Sequence, residues 1–402
     1  MTPALWFQTE LFPNTFTQMP EADEIATAER PQVTSFDAGR IPSLDGLRGI
    51  SILMVLASHC KYPYTDQLPP LLDKVLTRCA IGVDVFFIIS GFLITLLLLR
   101  EQDSTGRINL KSFYLRRAFR ILPAYYCFVA VALCFPLLGW VDAYVPLPAY
   151  VAVPTFFVDF LVSCPLFVHH LWSLSVEEHF YLVFPLLVWW DRRWAVRLTV
   201  SWVILTPGFR YAVTHAPIVL PDIKFWTLTR ADAISIGCLL AFALRSEVWR
   251  PRLAWSETIS IAAATAAACL LVATTFAPPG HWMNLYRTLV SETVDAICIA
   301  VIIWTVVSRP KSLAKRLLES RPLVAVGMLS YSLYLWHTPF LVEDNIKPLA
   351  FRLLLVFAVA FASFRFVERP FLQIKKRYLT ATSNGQPAGL QIVGPSMADA
   401  TP

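Results

Sequence analysis

From Leu44 onward, apolar runs of roughly 17–21 residues alternate with shorter polar connections. The runs lie near 45–61, 79–99, 121–139, 172–190, 196–213, 229–245, 257–276, 288–308, 323–341 and 349–368. Each is long enough to cross the hydrocarbon core of a bilayer as a helix. The pattern predicts an all-α, polytopic membrane protein with about ten transmembrane helices in one bundle. The stretch 149–167 is different, because Pro148, Pro154 and Pro165 interrupt it and it carries Asp159. It reads as a re-entrant or interfacial segment. Three parts follow: a disordered cytoplasmic tail (1–40), a membrane domain (41–373) and a short polar cytoplasmic tail (374–402). The first tail is polar and holds Glu21, Asp23, Glu24 and Glu29. With no basic stretch ahead of an apolar one, it is not a signal peptide.

Charge placement fixes the expected orientation. Of 402 residues, 56% are hydrophobic and only 15% charged, far from the composition of a soluble domain. With a cytoplasmic N-terminus and ten spans, the inner connections collect roughly two dozen Lys and Arg and the outer ones about seven. A full span at 149–167 would invert everything after it and spoil that bias. The expected location is therefore the inner (cytoplasmic) membrane, multi-pass, with both termini in the cytoplasm. The net charge of +6 resides in these connections, so it is a topology signal and implies no nucleic-acid partner. The eight cysteines are dispersed, with neither a CxxC nor a His/Cys cluster at ligand spacing, and no metal is expected. Cys60 and Cys79 flank one outer connection and are the candidate pair for a disulfide.

Candidate chemistry begins in the first run, Asp45-Gly46-Leu47-Arg48-Gly49 through His59. At about 100° per residue, the step from Arg48 to His59 returns within about 20° of the same face, and Asp45 falls there too. An ionisable stripe in lipid marks an inward-facing site unless its members snorkel to the interfaces. His59 would lie roughly 16 Å from Arg48 along the axis, nearer the outer leaflet. With an unperturbed pKa near neutrality, histidine is the natural general base here. Asp84 enters the second run from the outside and is expected to orient His59, the alternative being a helix cap. Gly82 and Gly91 would let helices approach closely. In the loop 107–123, Arg116, Arg117 and Arg120 form a cationic group suited to a phosphate-bearing donor, or to anionic lipid. Trp172, Ser173 and Glu177 open a further run from the outside, as Arg230 and Asp232 open another. Tyr331 and His337 fall toward an outer helix end.

In order, these stretches resemble the integral-membrane acyltransferase family 3. The resemblance rests on Ser43-Leu44-Asp45-Gly46-Leu47-Arg48-Gly49 with His59, Gly82-Val83-Asp84-Val85-Phe86-Phe87 with Ser90-Gly91-Phe92, and Arg116-Arg117-Ala118-Phe119-Arg120-Ile121-Leu122-Pro123. It continues through Leu171-Trp172-Ser173-Leu174-Ser175-Val176-Glu177, Ser330-Tyr331-Ser332-Leu333-Tyr334-Leu335-Trp336-His337 and Val367-Glu368-Arg369-Pro370-Phe371. The resemblance implies transfer of an acyl group, here read as acetyl, from cytoplasmic acyl-CoA to a hydroxyl of an extracytoplasmic glycan or glycoconjugate. It makes His59 the catalytic residue, together with Arg48. His179 departs from the glutamine usual in the family, the polar N-terminal extension is long, and no fused esterase-like domain is expected.

The expected machinery is then His59, Asp84 and Arg48 for catalysis, and Arg116, Arg117 and Arg120 for acyl-CoA. Trp172, Ser173, Glu177, Tyr331 and His337 are expected to hold the acceptor. Whether His59 acts as base or as acyl-carrying nucleophile stays open. The rival class is a proton-coupled transporter or an export-associated membrane protein without acyl-CoA chemistry. Buried His, Asp and Arg also build proton relays, but the paired repeats common in transporters are not evident.

Overall fold

A computed structural model describes residues 41–375 except 137, 140–144, 162–163, 216–224, 310–311 and 343–347. The expected tail at 1–40, and all but the first two residues of that at 374–402, lie outside the described residues. The regular elements among the described residues are all helical. The first four are α1 (Pro42–Cys60), α2 (Pro70–Arg78), α3 (Gly82–Thr105) and α4 (Leu110–Ala132). Short α5 (Leu147–Ala152) and α6 (Leu166–His169) precede α7 (Trp172–Trp190), α8 (Arg192–Thr214) and α9 (Thr227–Arg245). Then come α10 (Trp249–Arg252), α11 (Glu257–Phe276), α12 (His281–Leu289), α13 (Ser291–Ser308) and α14 (Leu313–Leu318). The series closes with α15 (Arg321–Trp336), α16 (Thr338–Leu341) and α17 (Leu349–Ser363), the last passing into a π-helical turn, Phe364–Glu368.

Local sequence sets many of the ends. Pro42 starts α1, where its missing N–H costs nothing. Gly106, at φ 71°, closes α3 with its N–H on the Gln102 carbonyl. Asn109 accepts from the Ser112 N–H to cap α4, and Asp191 accepts from the N–H groups of Arg193 and Trp194 to cap α8.

Six stretches are long and apolar enough to cross a membrane among the described residues: Pro70–Thr105, Leu166–Trp190, Thr227–Arg245, Glu257–Phe276, Ser291–Ser308 and Leu349–Lys375. The described residues are thus all-helical, with several helices long and apolar enough to cross a membrane. The further runs expected at 45–61, 121–139, 196–213 and 323–341 also contain helices, but not ones that qualify as spans by length and apolarity. Physical reasons are at hand: α1 carries Asp45 and Arg48, α4 starts among arginines, α8 holds four arginines, and α15 has only 16 residues. Between 149 and 167 the chain breaks into α5, a 3₁₀ turn (Val158–Phe160) and α6, all far too short to span. Over its most apolar window α11 is only 11% buried. Such a face suits lipid and would be an aggregation surface in water.

Two tight seams organise the bundle, α1 along α15 and α3 along α9. A Cβ on Gly327 would run into the Asp45 carbonyl, and one on Gly91 into the Ile234 carbonyl, so backbone meets backbone at both crossings. A polar network adds to these seams. Arg230 pairs Asp84 at 2.6 Å and Glu292 at 2.6 Å, while Arg210 pairs Asp232 at 3.0 Å and Glu292 at 2.9 Å. Arg78 holds Asp295 through two bonds of 2.7 Å. α2, α3, α8, α9 and α13 are thereby tied by charge-assisted bonds. Cys60 and Cys79, the candidate disulfide pair, are both free thiols.

Candidate active site

α1 supplies the two ends of the site. The His59 Nδ1 lies 2.9 Å from the Val55 carbonyl and 3.1 Å from the Ser58 hydroxyl. A carbonyl only accepts, so Nδ1 carries the proton and Nε2 keeps its lone pair. His59 is half-buried.

Toward the other end of α1, Arg48 borders a cavity walled by α1, α3, α4, α7 and α15. About 670 Å³ of empty space lies within it, the open mouth included. Arg48, Arg117 and Arg120 line it together with Ser90, Ser173, Glu177, Tyr331 and Tyr334. The Arg117 guanidinium sits 3.7 Å over the Tyr181 ring, a stacking geometry that orders the cation without neutralising it. Tyr331 donates its hydroxyl to the Ile121 carbonyl at 2.8 Å, pinning α15 to α4. Three arginines lining one space, with a single carboxylate among them, suit an anionic ligand.

Tyr334 lines this cavity and reaches the histidines beyond its wall. Its hydroxyl donates to the His170 carbonyl at 2.8 Å and meets the Ser173 hydroxyl at 2.5 Å. Its ring centroid is 5.5 Å from that of His337 and 5.4 Å from that of His170. His337 in turn stands edge-to-face against His59, with centroids 4.6 Å apart. The catalytic candidate on α1 is thus one side chain removed from the cavity wall.

The expected residues fall into three places. Arg48, Arg117, Arg120, Ser173, Glu177 and Tyr331 share the cavity. His59 and His337 meet ring to ring, and His337, expected to hold the acceptor, has no exposed surface. The remaining three are held elsewhere. Arg116 pairs Glu101 at 2.9 Å, because α4 turns it toward α3 and away from the cavity. Asp84 does not orient His59: its carboxylate is taken by Arg230 and the His59 Nδ1 by the Val55 carbonyl. Trp172 is buried, packed on Phe87 and Phe225 beneath the Arg230 guanidinium.

Sequence reasoning missed His170, Arg210 and Glu292. His170 had one signal, its place immediately before the Leu171-Trp172-Ser173 stretch. Arg210 and Glu292 had none beyond being charged residues in apolar surroundings. Among the described residues, no group of three or more His, Cys, Asp and Glu is placed to hold a metal ion.

Comparison with known proteins adds the family. The model of an acyltransferase domain family matches residues 41–366. The peptidoglycan O-acetyltransferase OatA of Listeria monocytogenes is 27% identical over 372 residues, covering 84% of this chain and 57% of that protein. The O-acetyltransferase OatA of Staphylococcus aureus is 28% identical over 363 residues, covering 82% and 57%. A putative O-acetyltransferase of the same species is 29% identical over 364 residues, again covering 82% and 57%. The chain therefore spans a little over half the length of the curated relatives it matches. No solved structure matches significantly.

Proposed function

Because the chain belongs to the acyltransferase domain family, we propose that it transfers an acetyl group from cytoplasmic acetyl-CoA to a hydroxyl of an extracytoplasmic glycan, peptidoglycan being the leading candidate. The observation that carries this reading is the shared cavity of Arg48, Arg117 and Arg120. One side chain beyond its wall stands a histidine whose Nε2 lone pair is left free by a backbone hydrogen bond. In this reading the chain lies in the cytoplasmic membrane as about ten helices with both termini inside, the shorter and more charged α1, α4, α8 and α15 crossing with the six apolar stretches. Residues 41–373 form the acyltransferase domain, flanked by polar cytoplasmic tails.

Arg117 and Arg120 hold the donor phosphates, and Arg48 meets the donor deeper in the cavity. His59 Nε2 takes the proton of the acceptor hydroxyl while its oxygen bonds to the thioester carbonyl carbon. The C–S bond then breaks, and His59 returns the proton to the departing coenzyme A thiolate. Ser173, Glu177 and Tyr331 line the route between the two substrates. If His59 instead carried the acetyl group, the kinetics would be ping-pong, with a burst of free thiol.

The test uses the purified full chain in liposomes, with release of coenzyme A thiol from acetyl-CoA followed in the presence of glycan fragments. Arg117→Gln or Arg120→Gln is expected to raise the KM for acetyl-CoA about tenfold, the loss of one charge-assisted phosphate contact. Arg116→Gln, already paired to Glu101, should change it less than about twofold. Absence of acetyl-CoA turnover by the wild-type chain would overturn the reading.

A further inference from the structure

Three imidazoles stand in file behind Tyr334. His59 meets His337 at 4.6 Å between centroids, and His337 meets His170 at 5.0 Å, both edge-to-face. His59 is half-buried, whereas His337 is 0% and His170 3% exposed. Their tautomers are set by neighbours. The His337 Nδ1 donates to the Tyr334 carbonyl at 2.6 Å. Thr338 gives its hydroxyl proton to the Phe167 carbonyl at 2.7 Å, so its oxygen accepts from the His170 Nδ1 at 2.9 Å. The Nε2 atoms of both His337 and His170 are buried and have no hydrogen-bond partner among the described residues. A core seldom keeps such atoms on two adjacent rings without a role for them.

The usual support for a reacting histidine is a carboxylate on its other ring nitrogen. That place is filled here by the Val55 carbonyl, and Asp84 is engaged by Arg230. A backbone carbonyl fixes one nitrogen but leaves the ring free to pivot about that bond. The plane of the His59 ring must be held from the side, where Tyr62 packs at 5.7 Å between centroids and His337, backed by His170, at 4.6 Å.

We propose that His170, acting through His337, is a positioning residue for His59, the file of neutral imidazoles serving in place of the carboxylate. The edge-to-face packing fixes the His59 ring, and the two unbonded Nε2 lone pairs leave electron density in the file to meet the charge His59 acquires on taking up the acceptor's proton. His170 then touches neither substrate. This inference rests on His59 being the reacting group.

Asparagine and glutamine separate the roles of the two ring nitrogens. His170→Asn keeps a donor at the Nδ1 position for Thr338, while His170→Gln places an amide at the Nε2 position. In liposomes, His170→Ala is expected to lower kcat by between about tenfold and about a hundredfold with the KM for acetyl-CoA within twofold. His170→Gln is expected to recover most of the loss and His170→Asn little. Equal rescue by both amides, or unchanged kcat in His170→Ala, would overturn the proposal and leave His170 a Thr338 anchor. A readout independent of transfer is the His59 Nε2 resonance of the full chain, ¹⁵N-histidine-labelled, in lipid bilayers. It should move in His170→Ala and return in His170→Gln; an unmoved resonance in His170→Ala would also overturn the proposal. If His59→Ala retains transfer while that resonance still responds to His170, the file is real and it is the assignment of His59 that fails.

Discussion

At the scale of single residues, the account turns on which charged groups are committed to structure and which are left for chemistry. Asp84 and Arg230 belong to the first kind, with side chains 9% and 10% exposed and a bond of 2.6 Å. Asp84→Asn leaves the Arg230 charge buried with Glu292 as its remaining partner. The expected cost is at the lower end of roughly 3–5 kcal/mol. A double-mutant cycle on thermal unfolding should show strong coupling of Asp84 with Arg230 and none with His59. Coupling to His59 instead would restore the carboxylate–histidine arrangement expected from sequence. The spacing of Arg48 and His59 is legible in the sequence because an eleven-residue step on one helix is local geometry. The sequence did not carry the partner of Asp84, which lies 146 residues away. Helical phase places a residue on a face of its own helix and says nothing of which helix packs there. His170 escaped notice for another reason: it follows a helix of four residues, too short to show any periodicity.

At the scale of elements, the hydrophobic pattern located the long helices because each had to bury its backbone polar groups internally. How many of them cross was less legible. α1, α4, α8 and α15 mix spanning geometry with charges or short length, and apolarity alone does not place them. What binds the elements was partly readable in the glycines. Gly91 was expected to permit close approach, and it lies where the α3 and α9 backbones meet. Gly91→Ala should therefore destabilise the protein by about 1–3 kcal/mol, since the obstacle is the Ile234 carbonyl and not a side chain able to move aside. The readout is the Tm in detergent. Gly208, with nothing within 4 Å of where its Cβ would stand, offers the control, since Gly208→Ala should leave the Tm unchanged or raise it. Equal Tm values for wild type and Gly91→Ala would contradict the seam.

At the scale of the whole molecule, the arrangement separates two tasks. In the proposed reading a cationic cavity serves the donor and a file of imidazoles serves the transfer, with Tyr334, on the cavity wall, bonded to Ser173. The charged network of Arg210, Arg230, Asp84, Asp232 and Glu292 holds α3, α8, α9 and α13 in register without entering the cavity. Family membership gives the reaction class, and the cationic cavity is compatible with it. The most direct test is label transfer from radiolabelled acetyl-CoA in membranes holding equal amounts of the wild-type chain or His59→Ala. The account predicts label in cell-envelope carbohydrate with the wild type and at least about a hundredfold less with His59→Ala. Equal labelling by both proteins, or none by either, would contradict it.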